Sequence, residues 1–383
     1  MSRPLQPVNI EDLRRGALRR LPRFLWDYLE GAAEDGHSHD HNRAAFAHLR
    51  WRPQVLRDVS RRDLSCTLLG RPATLPLVIG PTGLAGFCWP QGDLAMARAA
   101  ARAGIIFALS SASTWPMEDL AEQAGGRLWF QLYVFRDRAI SERLLARARD
   151  SGYEALVLTC DLPLQGKRER DWRNGLRSSS RPSLAALLET LRHPGWLSSI
   201  ARARPTFINL ARELPAGVDA AAYVASQTDP SLDWDYFQRL RCLWPGKLIL
   251  KGVLRADDAE RAVALGADAL VLSNHGGRQL DDAASALDVL PEVRRAIGDR
   301  AEILIDGGVR RGADLLKARA LGATAVIAGR APLYGLACAG EAGVTSAIEV
   351  LRDEADRVLA LLGCSRLDDL GPDLLAGQRS ALS

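Results

Sequence analysis

Residues 271–281 read VLSNHGGRQLD and place an imidazole and a guanidinium directly after an apolar run. His275 and Arg278 are separated only by Gly276 and Gly277. Histidine is the usual general base near neutral pH, and arginine binds a carboxylate through two parallel hydrogen bonds. Because glycine lets a backbone approach a ligand closely, the segment predicts a site that holds an acid by its carboxylate and removes a proton beside it.

Two further ionisable residues end apolar runs. Asp161 follows ALVLTC, and Lys251 follows LIL. An aspartate beside the imidazole of His275 would orient the ring and stabilise its charged form. For Lys251 the sequence leaves two roles open, a Schiff-base amine or a positive charge beside a cofactor that becomes anionic on reduction.

The elements that must position these residues are short apolar runs, each followed by a helical stretch. Continuous apolar runs indicate parallel strands that are buried on both faces, and their alternation with helices predicts a TIM (β/α)8 barrel. A doubly wound sheet is the competing fold, but no G-x-G-x-x-G follows the first run. The runs are residues 75–80, 105–109, 128–132, 155–159, 247–251, 269–273, 302–306 and 325–329.

The carboxyl ends of barrel strands form the active-site face of this fold, so the residues just past each run are the candidate site. Each run ends in a polar side chain or a bare stretch of backbone. The residues are Pro81, Thr82, Gly83, Ser110, Ser111, Gln131, Tyr133, Thr159, Asp161, Lys251, Ser273, His275, Arg278, Asp306, Gly329 and Arg330.

The last two of these loops predict a phosphate site. Residues 306–312 read DGGVRRG, and a second Gly-Arg pair stands at Gly329 and Arg330. Backbone N–H groups, helix N-termini and guanidinium charge would converge there on one anion. Loops after the seventh and eighth strands are the usual phosphate site of a TIM barrel.

The order of the runs divides the chain into three parts. We predict a helical N-terminal arm over residues 1–70, the barrel over 71–365 and a C-terminal tail over 366–383. A long insertion at about 166–240 separates strands four and five. It mixes apolar residues with Arg192, Arg202, Arg204 and Arg212, which fits either an active-site lid with a solvated basic face or a segment that lies on anionic lipid.

Composition excludes several classes of protein. Apolar residues make up 47% of the chain and charged residues 25%, as in an ordinary globular protein. A net charge of +4 suits an anionic small molecule or an acidic membrane surface, and is too small to indicate nucleic acid. We find no apolar signal peptide, no run long enough to span a membrane and no paired-cysteine pattern, so we expect a cytoplasmic protein without disulfides.

The histidine cluster at residues 37–41, HSHDH, could suggest a metal site. Its three histidines alternate along the chain, and no second cluster of ligands lies nearby in the sequence. We interpret them as part of a solvated turn and expect no metal.

The motif SNHGGRQLD, with KGV upstream and DGGVRRG downstream, resembles the FMN-dependent α-hydroxy-acid dehydrogenase/oxidase family. The resemblance runs from about residue 21 to about residue 340. The stretches LPRFLWDYLEG, IGPTGLAGFCWPQGDLA, LWFQLYV, QGKRERD and GRAPLYGLACAGEAGV are most similar to the bacterial mandelate dehydrogenase branch. The resemblance implies oxidation of an (S)-2-hydroxy acid to a 2-keto acid, with mandelate or a related aryl acid as the first expectation and lactate or another aliphatic acid as the alternative.

The resemblance also implies a role for each residue of the rim. Tyr28, Arg168 and Arg278 would hold the substrate carboxylate, and Tyr133 would contact the substrate hydroxyl. His275 would take a proton with the support of Asp161, and Lys251 would stabilise the negative charge at the flavin N1/O2 edge. Whether a hydride or a proton leaves the α-carbon first stays open. FMN would contact Pro81, Thr82, Gly83, Ser110, Gln131, Thr159, Lys251 and Ser273, and its phosphate would contact Asp306, Gly308, Arg310, Gly329 and Arg330.

Two features bear on the electron acceptor. Gly83 stands where many oxidases of the family carry alanine, and the insertion lies where the branch is thought to touch a membrane. The resemblance therefore implies a homotetramer at the inner face of the cytoplasmic membrane that passes electrons to a quinone. The alternatives are a soluble cytoplasmic oxidase that releases H2O2, an FMN-dependent isomerase of phosphorylated isoprenoids, and a membrane-bound barrel that has lost catalysis.

Overall fold

The computed structural model describes residues 6–174, 184–214 and 229–376, apart from the side chains of 184–187. Parts of the predicted arm, insertion and tail, at residues 1–5, 175–183, 215–228 and 377–383, lie outside this description. The arm begins with helices α1 (Ile10–Arg20), α2 (Arg23–Glu30) and α3 (His37–His48). It continues through strands β1 (Arg50–Trp51), β2 (Cys66–Leu68) and β3 (Arg71–Ala73).

Eight parallel strands then close into a barrel, which confirms the predicted fold. Each strand pairs with the next along the chain, and β11 pairs with β4 to close the ring. The strands are β4 (Leu77–Ile79), β5 (Ile106–Ser110), β6 (Arg127–Leu132), β7 (Ala155–Thr159), β8 (Lys247–Val253), β9 (Ala269–Leu272), β10 (Glu302–Asp306) and β11 (Ala325–Ala328). A last short strand, β12 (Leu375–Ala376), pairs with β1.

Helices cover the outside of the barrel and fill the insertion. The helices of the barrel are α4 (Ala85–Cys88), α5 (Gly92–Ala103), α6 (Met117–Ala124), α7 (Arg138–Asp150), α13 (Ala256–Ala264), α14 (Ala286–Ile297), α15 (Gly312–Ala320) and α16 (Arg330–Leu361). Between β7 and β8 lie α8 (Glu169–Arg173), α9 (Leu184–Leu191), α10 (Pro194–Ala203), α11 (Ile208–Ala211) and α12 (Trp234–Leu243). The long helix α16 is interrupted at Ala339 and Gly340, where the backbone leaves helical angles.

The apolar runs are continuous because both faces of each strand are buried. Val78, Trp129 and Val271 belong to a cluster that fills the barrel interior. Their neighbours Ile79 and Phe130 belong to the larger cluster between the barrel and its helices. A parallel sheet covered on both faces leaves no strand position for a polar residue until the strand ends, which concentrates polar groups at the rim.

A hairpin that the sequence reasoning did not predict closes the amino-terminal end of the barrel. Strands β2 and β3 pair antiparallel, and Leu68 and Leu69 between them join the interior cluster. Arg127 donates to the Leu68 carbonyl at 2.7 Å, and the Leu69 N–H donates to Glu302 at 2.8 Å. The expected arm is therefore helical only as far as His48. It continues as β1, which pairs with β12, and as the first strand of the hairpin that closes the barrel.

The insertion packs on the opposite end of the barrel, where the strands end. Trp196 of α10 donates its indole N–H to the Phe87 carbonyl at 2.7 Å and meets Phe24 edge to face. Asn209 of α11 is buried and accepts from the Met117 N–H at 3.0 Å. In the described part of the chain, no helix combines the length and the apolar character needed to cross a membrane.

Candidate active site

The structure brings His275, Asp161 and Tyr133 together at the carboxyl ends of β9, β7 and β6. The Nδ1 atom of His275 lies 2.8 Å from Asp161 Oδ1, and its Nε2 lies 3.4 Å from the Tyr133 hydroxyl. The backbone of His275 has a φ of 58°, in the left-handed region that non-glycine residues rarely adopt. Such positions persist where surrounding contacts hold them, and here the His275 N–H donates to Ser273 Oγ at 2.9 Å.

Burial and charge set the protonation states of the two partners of His275. Burial alone would raise the pKa of Asp161, but His275 and Lys251 outweigh it and lower that pKa below its ordinary value. Burial raises the pKa of Tyr133 to about 12, so its hydroxyl keeps its proton at neutral pH. The arrangement gives His275 an anion at Nδ1 and leaves Nε2 facing a neutral hydroxyl.

Lys251 is buried at the end of β8 between two partners. Its Nζ lies 3.0 Å from Asp306 Oδ2 and donates to Ser273 Oγ at 2.8 Å. Burial favours the neutral amine, but Asp306 and Asp161 outweigh it and raise the pKa of Lys251 above its ordinary value. Schiff-base chemistry needs a neutral amine, so of the two roles left open by the sequence this environment favours a fixed positive charge.

A chain of hydrogen bonds joins the three strands before β8. Ser110 Oγ donates to Gln131 Oε1, and Gln131 Nε2 donates to Thr159 Oγ1, both at 3.0 Å. All three side chains are buried at the rim. With Lys251 and Ser273 they form a polar band that runs along consecutive strands β5 to β9.

A second group surrounds Tyr28, at the end of the arm helix α2. The guanidinium carbons of Arg278 and Arg168 lie 4.9 Å and 5.9 Å from the centre of the Tyr28 ring. The Tyr28 hydroxyl would lie 3.2 Å from a Cβ added at Gly83, so the loop after β4 is also within contact. Burial, and then the charge of Arg168, lowers the pKa of Arg278. An anion would relieve the repulsion between these two cations.

The two loops that are predicted to bind phosphate, residues 306–312 and 329–330, lie near each other at the rim. Arg330 begins α16 and donates to three carbonyl oxygens, those of Leu29, Gly31 and Gly276. Burial, and then Arg278, lowers the pKa of Arg330 to about 10. Arg310 donates to the Val309 carbonyl at 2.9 Å. Gly329 faces Thr82, whose Cγ2 would lie 3.5 Å from an added Cβ.

The glycine pairs of these loops make room for helix α3. A Cβ at Gly277 would lie 2.4 Å from the His39 backbone nitrogen, and one at Gly308 would lie 2.2 Å from the Asn42 carbonyl oxygen. Both glycines have positive φ, 75° and 85°. The interpretation of Gly276 and Gly277 as a close approach to a ligand is therefore wrong for Gly277, because a helix of the arm occupies that space.

The histidine cluster forms the first turn of helix α3 and not an irregular turn. His37 and His41 are exposed as predicted, and His39 is the exception. His39 is mostly buried, and its Nε2 has no hydrogen-bond partner in the described structure. Burial, followed by the charge of Arg330, lowers the pKa of His39 to about 4. The helical spacing of His39, Asn42 and Phe46, which places them on one face, was the signal that could have indicated this burial. Within the described ranges, no group of histidine, cysteine and carboxylate side chains could hold a metal ion.

The rim fits a flavin with a phosphate. Buried polar atoms rarely lack partners, and each exception calls for an explanation. Thr82 Oγ1, Asp161 Oδ2 and Asp306 Oδ1 are buried around the rim without a hydrogen-bond partner in the described structure. Arg310 and Arg330 would supply the positive charge that a phosphate needs, and Lys251 would supply a cation for a flavin that becomes anionic on reduction.

Comparison with known proteins agrees with this fit. The chain belongs to the FMN-dependent dehydrogenase family, whose sequence model matches residues 17–377. The protein is an FMN-dependent enzyme that oxidises (S)-2-hydroxy acids, and FMN is its cofactor.

Two curated relatives and one solved structure illustrate its neighbours. The chain is 46% identical to (S)-mandelate dehydrogenase of Pseudomonas putida, over 97% of this chain and 94% of that protein. It is 41% identical to the L-lactate oxidase of a Nostoc species, over 96% and 98% of the two chains. The crystal structure of the monotopic membrane protein (S)-mandelate dehydrogenase has a TM-score of 0.93 at 46% identity and covers 97% of this chain and 99% of that one.

Proposed function

We propose that this enzyme oxidises (S)-mandelate or a related aryl 2-hydroxy acid and passes the electrons to a quinone at a membrane surface. The observation that carries the proposal is the juxtaposition of a base and an anion pocket. His275 pairs with Asp161 and contacts Tyr133. The positive charge of Arg168 acts, after burial, on the pKa of both Tyr133 and Arg278. The mandelate dehydrogenase relative supports the aryl acid, whereas the lactate oxidase relative keeps lactate and oxygen as the second candidate.

The carboxylate of the substrate binds between Arg168 and Arg278, against the Tyr28 hydroxyl. The two guanidinium groups flank the Tyr28 ring, and the pKa of Arg278 is lowered first by its burial and then by its charged neighbour. A bound carboxylate neutralises that repulsion and fixes the α-carbon relative to His275.

His275 accepts a proton at Nε2 while Asp161 stabilises the imidazolium from Nδ1. The 2.8 Å contact with Asp161 orients the ring and places a carboxylate beside Nδ1. The Tyr133 hydroxyl donates a hydrogen bond to the oxygen of the substrate, because its raised pKa keeps its proton in place at neutral pH. FMN, when bound, accepts the two electrons.

The cofactor is held along the polar band and by the phosphate loops. Pro81, Thr82 and Gly83 provide the loop after β4, and Lys251 provides the fixed positive charge. We add His39 to the predicted phosphate contacts, because its Nε2 is buried and unpartnered beside the charges of Arg330 and Arg310. The charge of a bound phosphate would raise the pKa of His39, so that Nε2 donates to the phosphate while Nδ1 keeps its contact with Asp40. The other proposed contacts are Ser110, Gln131, Thr159, Ser273, Asp306, Gly308, Arg310, Gly329 and Arg330.

The described part of the insertion supports attachment to the inner face of a cytoplasmic membrane. Leu188 and Leu191 of α9 are 55% and 63% exposed, and Arg192 and Arg202 nearby are exposed as well. Apolar side chains beside arginines suit the interface of an anionic bilayer. The related enzyme of known structure is a monotopic membrane protein. The family resemblance further suggests a homotetramer, which light scattering of the detergent-solubilised enzyme would test.

An anaerobic titration tests the substrate. Purified holoenzyme is mixed with (S)-mandelate or (S)-lactate, and bleaching of the visible flavin band is followed by stopped flow. The proposal predicts faster bleaching with mandelate. Bleaching by lactate alone would leave the family and its chemistry standing and would replace the aryl substrate with an aliphatic one.

A further inference from the structure

A cavity of about 420 Å3 lies between the insertion and the loops that follow β4 and β5. Helix α10 forms one wall, and the opposite wall comes from α4 and from the loop before α6. The cavity is lined by Gly86, Pro90, Gln91, Thr114, Trp115, Ser199, Arg202, Ala203 and Pro205. Its size lies within the range of small-molecule sites, about 300–1,000 Å3.

Two walls of the cavity continue directly from the proposed flavin loops. Gly86 follows Gly83 by three residues, and Thr114 follows Ser110 by four. A chain spans at most about 3.6 Å per residue, so the cavity wall lies within about 11 Å of Gly83 and about 14 Å of Ser110. The two walls are tied together, because Thr114 Oγ1 accepts from the Gly86 N–H at 2.9 Å and donates to Asp93 at 2.5 Å.

The lining suits a flat, weakly polar ring. Trp115, Pro90 and Pro205 offer apolar surfaces, while Gln91 and Ser199 offer a few polar atoms. The indole nitrogen of Trp115 is buried without a hydrogen-bond partner in the described structure. Because this nitrogen is closed off from solvent, Trp115 offers the cavity its ring and not its N–H.

The remaining wall connects the cavity to the proposed membrane face. Ser199, Arg202 and Ala203 lie on α10, which follows the helix that exposes Leu188 and Leu191. The α10 wall of the cavity therefore belongs to the segment that is proposed to contact the membrane. The side of the cavity nearest the flavin loops is therefore opposite the side nearest the lipid.

We propose that this cavity binds the head group of the quinone that reoxidises the enzyme. This inference rests on the proposed quinone acceptor. The quinone gains two electrons and two protons to become a hydroquinone, which equals the two electrons and two protons lost when a CH–OH group becomes a carbonyl. No other reactant is required.

A matched pair of substitutions on α10 tests the site. Ser199 lines the cavity, whereas its neighbour Ser198 is exposed outside it, and each hydroxyl bonds to a backbone carbonyl three residues earlier. Holoenzyme with Ser199→Trp or Ser198→Trp is reduced anaerobically by the hydroxy acid. It is then mixed with a short-chain ubiquinone analogue or with ferricyanide. A second filling variant, Ala203→Phe, guards against misfolding of Ser199→Trp.

The outcomes separate this site from the acceptor itself. We expect the filling variants to slow reoxidation by the quinone at least tenfold, with flavin reduction and ferricyanide reoxidation changed less than twofold and Ser198→Trp unaffected. If the quinone reoxidised Ser199→Trp and Ser198→Trp at equal rates, the proposed site would be overturned, while a quinone would remain the proposed acceptor. A wild-type enzyme that ferricyanide reoxidises but the quinone does not would overturn the proposed acceptor first.

Discussion

The two ends of the barrel both carry buried charges, but they differ in how those charges are paired. At the amino-terminal end, Arg127 makes hydrogen bonds to Glu154 and to the carbonyls of Leu68, Arg71 and Pro72. Its side chain is only 11% exposed, yet each of its three nitrogens has an acceptor. These charges serve to fasten the hairpin that closes the barrel.

At the carboxyl-terminal end the pairing is incomplete. Thr82, Asp161, Asp306 and His39 each leave a buried polar atom without a partner in the described structure. Burial, and then the nearby charge of Arg278, lowers the pKa of Arg330. At the amino-terminal end, Glu302 Oε2 and Arg319 Nε are also buried without a partner in the described structure. The other Glu302 oxygen accepts from the Leu69 N–H, and the other two nitrogens of Arg319 donate to Ala323 and Asp368. The comparison indicates that one end of the barrel is completed within the chain and the other is completed by a ligand.

Replacement of His275 should give the largest effect at the ligand end. We expect His275→Gln to lower kcat/KM for the hydroxy acid by about 10³–10⁴-fold, because the general base is lost. Thermal stability and the visible flavin spectrum should stay near those of the wild type. His41→Gln, an exposed histidine on α3, is the control. Substantial activity in His275→Gln would remove this residue from the chemistry.

Replacement of Arg127 should show the opposite pattern. We expect Arg127→Met to lower the free energy of unfolding by about 3–5 kcal/mol, since Glu154 is left mostly buried without its main cation. Activity at 25 °C should change less than twofold. Arg149→Ala, which breaks an exposed pair with Asp150, should cost less than about 1 kcal/mol. Denaturant unfolding measures the free energy of unfolding of both variants. Equal losses of stability would contradict the role of Arg127 in fastening the hairpin.

Asp93 tests whether the ligand end also carries a purely structural charge. Burial raises its pKa to about 6, above its ordinary value of 3.8. The folded state therefore binds the proton more tightly, and stability from this group is present below pH 4 and lost as the pH rises through 6. Relative to the wild type, Asp93→Asn should be more stable by about 2 kcal/mol at pH 7 than at pH 4. A pH-independent difference between the two proteins would rule this out.

His39 tests whether a ligand completes the phosphate loops. We expect His39→Leu to weaken FMN retention about tenfold, because a hydrogen bond to a charged group contributes about 1.5 kcal/mol. Fluorescence of FMN released on dilution measures the loss. His37→Leu removes an exposed histidine that pairs with Asp282 and should retain FMN normally. Equal FMN retention in the two variants would show that His39 only packs against the loops.

Gly83→Ala should give the smallest effect. The added Cβ would lie 3.2 Å from the Tyr28 hydroxyl, so Tyr28 must shift by a few tenths of an ångström. We expect KM for the hydroxy acid to rise about two- to fivefold with less change in kcat, since the proposed contact of Tyr28 with the carboxylate would be made in the ground state and the transition state alike. Gly195→Ala, where an added Cβ meets open space, is the control. An unchanged KM would show that Tyr28 does not contribute to substrate binding.

Much of the barrel could be predicted because its signal is local. The eight apolar runs match the observed strands to within two residues at either end, since burial on both faces requires apolar residues in succession. The closing hairpin was missed because its strands are three residues long and one of them reads Arg-Pro-Ala. The insertion gave no regular period, so its packing on α2 and α4 could not be foreseen.

The sequence predicted which residues belong to the candidate site better than it predicted how they are arranged. The pair of Asp161 and His275 spans 114 residues, and it could be expected because both residues end strands of one barrel. The role of α3 could not, because its contact with Gly277 and Gly308 depends on how the arm lies across the rim. His39 was placed in solvent for the same reason.

The sequence by itself determined the strands, the barrel that they form and the residue types at its rim. Those features depend on local periodicity and on the fixed rule that parallel strands end at one face. The tertiary structure decided that Lys251 is held charged by Asp306, that α3 fills the space beside two glycines, and that the insertion encloses a cavity next to the flavin loops. These contacts join segments far apart in the chain, and their strength depends on distance and burial, which no local pattern specifies.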